Sequence, residues 1–221
     1  MRINFKNGFL TQVVAMAIFG FSLHIANAQI KNPTRPLEYD RSAFENAYVK
    51  VSRDISPCAQ ATVGQCEDRV VLAMGELSVT NGTNKKLLKR GQIAVFKTGE
   101  SYEITQGSPF YEIAIKPSRP PVKSPSEIIL PPKNMILYQG EKFFVYEEKL
   151  GVGDTRPRHS HSQRIEIRLS NGPMLHQWVW QGDKVSENEP SRVNWREPII
   201  HEVTNIGDAP LSNFIMEFLP E

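Results

Sequence analysis

Six prolines crowd into residues 116–134 (Pro117, Pro120, Pro121, Pro125, Pro131 and Pro132), and no other stretch restricts the fold as strongly. Proline fixes φ and carries no backbone donor, so this segment cannot run through the middle of a sheet. It reads as a connector, assigned to residues 119–134, that parts two β-rich halves. Short runs of β-branched and aromatic residues fill both sides. Before it come Ala47–Val51, Arg69–Met74, Gly75–Thr80, Gln92–Phe96 and Tyr111–Ile115; after it come Lys142–Tyr146, Arg164–Leu169, His176–Trp180 and Phe214–Phe218. Asn81-Gly82 and Asn171-Gly172 are hairpin signals between such runs. Helical periodicity is scarce, so the expected fold is an all-β sandwich or barrel.

Residues 1–28 stand outside this pattern. Arg2 and Lys6 precede an apolar run from Phe9 to Phe21, and Ala26-Asn27-Ala28 offers an A-x-A cleavage site. The run is shorter than the about 20 residues a spanning helix needs. The expectation is a signal peptide on an exported protein, periplasmic or extracellular, with no stable membrane anchor. Without the leader the 26 basic residues fall to 24, against 24 acidic ones. That balance argues against a nucleic-acid partner or general binding to anionic surfaces. Cys58 and Cys66 are close enough in sequence for one local disulfide in an oxidising compartment, a link worth about 2–3 kcal/mol. A metal or redox pair is the competing reading.

Four histidines follow the leader, and three fall into one arrangement: His159-Ser160-His161, then Glu166, then His201 with Asn205 four positions on. Imidazoles at i and i+2 of a strand share a side. With a carboxylate and a third imidazole, His159, His161, Glu166 and His201 can surround one divalent transition metal. Such donors suit iron, manganese, zinc, nickel or copper. Glu166 lies at an odd offset from His161, so a bend or bulge has to intervene. The competing reading makes His159 and His161 surface residues and His201 a separate core residue.

The stretch from Gly153 through His159-Ser-His161 to Glu166, with His201 and Asn205, resembles the cupin family. The first motif of that family runs G-x5-H-x-H-x3–4-E, and its second ends in H-x3-N. The resemblance implies double-stranded β-helix (jelly-roll) barrels, two in tandem. In the first half Gly91 and Gly99 keep the glycines of the fuller second motif, G-x5-P-x-G-x2-H-x3-N. Lys97 stands at its proline, Tyr102 at its histidine, Gln106 at its asparagine, and Asp68 at the glutamate of the first motif. Asp68 and Tyr102 are 34 positions apart, Glu166 and His201 are 35 apart, and equivalent points lie 98–99 residues apart. Residues 29–118 thus read as a degenerate barrel without a metal site, and residues 135–221 as a metal-binding one.

Around the ligands, His176 shares strand parity with Met174, Trp178 and Trp180 and is a candidate acid, base or substrate contact; Gln163 is a candidate donor. Trp178 and Trp180 read as packing. Arg156, Arg158, Arg164 and Arg168 read as an outward face neutralised by Glu147 and Glu148, with an anion-holding role as the alternative. No nucleophile elbow, phosphate loop or H-E-x-x-H helix is present. The family resemblance implies a small metalloenzyme acting on a small organic substrate. A dioxygenase is its commonest form; isomerases and lyases also occur. The alternatives are a non-catalytic module for a small ligand or sugar, and an interaction protein that forms a homodimer through edge strands.

Overall fold

The computed structural model describes residues 42–54, 67–123, 126–127, 133–178 and 182–220. The leader, Cys58, Cys66 and Trp180 lie outside the described residues. Among those described, every named element is a strand, and no helix is long and apolar enough to cross a membrane. The first half holds β1 (Ser42–Glu45), β2 (Val49–Arg53), β3 (Arg69–Ala73), β4 (Leu77–Asn81), β5 (Asn84–Leu88), β6 (Ile93–Phe96), β7 (Glu103–Gly107) and β8 (Phe110–Ile115). The second half holds β9 (Asn134–Gln139), β10 (Phe143–Leu150), β11 (Thr155–His161), β12 (Arg164–Arg168), β13 (Gly172–Trp178), β14 (Gly182–Asn188), β15 (Val193–Arg196), β16 (Ile199–Asn205) and β17 (Leu211–Phe218).

These strands form four antiparallel sheets, none mixing strands from the two sides of the connector. The first half pairs β1-β2-β8-β3-β6 with β5-β4-β7; the second pairs β9-β10-β17-β12-β15 with β14-β13-β16-β11. Each half repeats the same strand order, β1 answering to β9, β2 to β10, β8 to β17, β3 to β12 and β6 to β15. This is a duplicated double-stranded β-helix. The position answering to β11 falls between β2 and β3, largely on residues outside those described.

Period-two alternation decides what each barrel sheet shows to either side. On β12, Ile165 and Ile167 enter a large apolar core, while Arg164, Glu166 and Arg168 face the opposite way. On β17, Phe214, Met216 and Phe218 join that core, whereas Ile215 lines the cavity on the other face. Val49, Val51, Val70, Leu72, Tyr111 and Ile113 of the first half complete the same core. The two five-stranded sheets therefore share one apolar layer, in which each fully buried side chain contributes about 1.5–3 kcal/mol.

The inside of the first barrel is filled. Val71, Leu77, Val79, Leu88, Phe96, Tyr102 and Phe110 pack together there, with Phe96 and Tyr102 stacked at 4.0 Å. Tyr102, at the motif's histidine position, donates to Glu112. Asp68 accepts the Thr98 amide at 2.8 Å and pairs with Lys97 and Lys142. Gly91 and Gly99 adopt φ of 81° and 85°, which explains why that motif carries glycine there. Ser191 occupies the corresponding turn before β15 at φ 65°.

Candidate metal centre

Neighbouring strands β11, β16 and β13 set His159 opposite His201, and His201 opposite Trp178, in one cross-strand row. His161 follows His159 on the same side. One ring nitrogen from each of His159, His161 and His201 lies within 4.8 Å of the other two, and all three side chains are buried. Two nitrogens bound to one ion at about 2.1 Å are at most about 4.2 Å apart, so small side-chain rotations close the set.

The hydrogen bonds orient these rings as a metal site requires. His159 Nδ1 lies 2.8 Å from the Pro157 carbonyl, which can only accept, so Nδ1 holds the proton and Nε2 the lone pair. His161 Nδ1 lies 2.6 Å from a Glu217 oxygen, with the Tyr146 hydroxyl at 3.1 Å. His201 Nδ1 is 3.4 Å from His176 Nδ1, and His176 Nε2 is 2.7 Å from the Ser186 hydroxyl. His201 Nε2 is buried with no hydrogen-bond partner among the described residues. Leaving a buried ring nitrogen unmatched costs about 1–3 kcal/mol; with the His201 proton on Nδ1, toward His176, Nε2 is the nitrogen that an ion would take up. His159 Nε2 has only a 3.5 Å approach from Arg156.

Burial, reinforced by Arg156 for His159 and by Arg168 for His176, pushes these two imidazoles down to about 4. Burial drives His161 and His201 further in the same direction. All four rings are thus neutral at pH 7, the form that binds a metal.

Glu166, the fourth expected ligand, is not among the converging atoms. The bend its odd offset demanded is present: β11 ends at His161, β12 begins at Arg164 in the other sheet, and Ser162-Gln163 forms the corner. Glu166 faces the same cavity as His161 and His201, but one oxygen pairs with Arg168 at 2.6 Å and the other with Arg196 at 3.0 Å. A metal has to compete with two guanidinium groups for it. Among the described residues, the set of converging donor atoms is three histidines.

Gln163 is buried in the corner and does not line the cavity, so it offers no donor to a substrate there. His176 does line it, together with Trp178. The arginines correct the expected outward face. Arg156, Arg164 and Arg168 are buried and only Arg158 is exposed, because strand parity turns Arg164 and Arg168 inward with Glu166. Glu148 receives Arg156 and the Asn213 amide. Burial opposes the charge on Glu148, yet Arg156 holds its carboxyl well below the usual range. Asn205 donates to the carbonyls of Leu150, Gly151 and Ala209 at 2.9–3.2 Å. It ties loops together and contacts no ligand ring.

Sequence reasoning missed Glu217. Its carboxylate accepts from Tyr146 at 2.5 Å, from the Ser162 amide at 3.0 Å, and from Ser126 of the connector, as well as meeting His161. The available signal was a single carboxylate in the otherwise apolar run Phe214–Phe218. The resulting cavity of about 340 Å³ is lined by His161, His176, His201, Trp178, Glu166 and Arg164, among others.

No protein-family model matches the sequence, and no curated protein does. Solved structures do. The chain is similar to oxalate decarboxylase from Lactobacillus farciminis in its formate complex, with 13% identity and TM-score 0.56 over 81% of this chain and 78% of that one. It is similar to AerE from Microcystis aeruginosa, with 17% identity and TM-score 0.53 over 77% of this chain and 87% of that one. A cupin 2 conserved barrel domain protein from Leptotrichia buccalis also matches, with 11% identity and TM-score 0.49 over 80% of this chain and 86% of that one. At these identities the likeness is one of fold. With paired sheets repeated in both halves and an H-x-H strand opposite a third histidine, the chain has the fold of the cupin superfamily.

Proposed function

We propose that this protein is an exported, metal-dependent cupin enzyme acting on a small organic substrate, with dioxygenase chemistry as the leading form. One observation carries the reading: three buried imidazoles bring one ring nitrogen each within 4.8 Å of the others, and His201 Nε2 is buried with no hydrogen-bond partner among the described residues. His159, His161 and His201 would hold the ion, which supplies Lewis acidity and open positions for a ligand. The chain's own groups do the rest. His176 fixes His201 and borders the cavity, Glu217 fixes His161, and Trp178 closes one wall. The leader composition of residues 1–28 supports export, and loading outside the cytoplasm favours manganese, zinc or copper over iron(II).

The test is dioxygen uptake and product formation across a panel of small organic acids, alcohols and phenols, run on protein loaded with each metal and on chelated protein. Turnover that appears only with metal and disappears in His161→Ala is the expected result. Full metal occupancy with no turnover on any substrate would assign the barrel to ligand binding instead.

A further inference from the structure

We infer that the second-half cavity binds a small organic carboxylate, its oxygens received by Arg164 and Trp178 beside the ion; this rests on the metal reading above. Three residues lining the cavity carry a buried polar atom without a partner among the described residues: His201 Nε2, Arg164 Nε and Trp178 Nε1. The first is an imidazole nitrogen, which in its unprotonated form an ion satisfies. The other two can only donate, so they require an acceptor that no ion provides.

Charge identifies the acceptor. The nearby carboxylates are already engaged: Glu148 by Arg156 and Asn213, Glu166 by Arg168 and Arg196, Glu217 by Tyr146, Ser126, Ser162 and His161. Among the described residues Arg164 makes no ion pair. Its Nη1 has only the carbonyls of Ser162 and Glu197, both at 3.3 Å, and the residue is 5% exposed. Glu217 acts on Arg164 electrostatically without pairing with it; a buried guanidinium lacking a direct ion pair is costly, and a monoanion reduces that cost. Arg164 lines the same cavity as His161 and His201.

Shape narrows the class. A planar carboxylate matches guanidinium geometry, and about 340 Å³ lies at the small end of ligand cavities. Met174, Ile199, Val203 and Ile215 give the remaining wall an apolar side, which suits a short carbon chain.

The test is calorimetric titration of the full chain with acetate and lactate, beside their neutral counterparts acetamide and lactamide, with metal content measured on every sample. The wild type should bind the carboxylates at least roughly tenfold more tightly than the amides. Arg164→Gln should lose roughly tenfold or more in carboxylate affinity with metal content unchanged, and Arg164→Lys should restore part of it. Trp178→Phe removes one donor without altering charge and should weaken the same ligands several-fold. It serves as the second variant if Arg164→Gln does not fold.

Equal binding of amides and carboxylates overturns the inference, as does wild-type affinity in both variants. So does the absence of any saturation, in which case water alone satisfies the donors. Failure of the metal reading shows separately, as wild type without stoichiometric metal. Titration of that metal-free protein still decides the carboxylate site by its dependence on Arg164.

Discussion

At the scale of single residues, the centre depends on which nitrogen of each ring is kept free. Glu217 does this for His161 and is itself satisfied by Tyr146, Ser162 and Ser126. Outer-shell carboxylates of this kind govern metal affinity by about 10–100-fold. Glu217→Gln should therefore weaken metal binding by that factor in chelator competition, with the fold intact by circular dichroism; unchanged affinity would show that His161 is oriented by its strand alone. A second expectation concerns acid. His159 and His176 titrate at about 4 in the folded, metal-free chain, below the about 6.5 of an unfolded one. Between those values the unfolded chain binds protons that the folded chain refuses, so stability falls as pH drops from about 6.5 towards 4, and it goes on falling below 4 because His161 and His201 are pushed lower still. Thermal melts of chelated protein should show Tm declining through that window, and a flat profile contradicts buried neutral rings. The convergence of His159, His161 and His201 was legible in the sequence because H-x-H spacing and strand parity are local. Glu217 was not, since only the barrel's closure brings β17 against His161.

At the scale of elements, the row His159–His201–Trp178 exists because β16 lies between β11 and β13. The run Arg164–Leu169 was readable as a strand from its apolar alternation, and Phe214–Phe218 from its short, largely apolar and aromatic composition. β9, β14 and β15 were harder: their partly exposed faces mix polar and apolar residues, and pairing with neighbours, rather than composition, makes them strands. The arginine-rich stretch misled for the same reason. Charged residues usually mark an outer face, but here Glu148 and Glu166 inside the barrel take Arg156 and Arg168. Turns give a clean test. Ser191 holds a left-handed conformation at φ 65°, in the turn where the first half uses Gly91. A side chain in that region costs about 1–2 kcal/mol, against about 0.5–1 kcal/mol of extra entropy lost by glycine. Ser191→Gly should stabilise by about 0.5–1 kcal/mol in urea unfolding; destabilisation would mean the serine side chain makes a compensating contact.

At the scale of the whole molecule, duplication was written into the spacings of 34 and 35 residues and the offset of 98–99 between the halves. The repeated sheet order is its structural counterpart. What spacing alone could not reveal is the division of labour. The first barrel closes over Phe96, Tyr102 and Phe110, the second keeps a polar cavity, and one apolar layer joins them. The central claim is that a single ion sits in the second barrel alone. Elemental analysis of untagged protein purified from its own compartment, beside His201→Ala, tests it most directly. About one transition-metal ion per chain in the wild type, falling to near none in the variant, is the expected result. Equal, sub-stoichiometric metal in both proteins would contradict the account and leave the three histidines a polar patch inside a barrel.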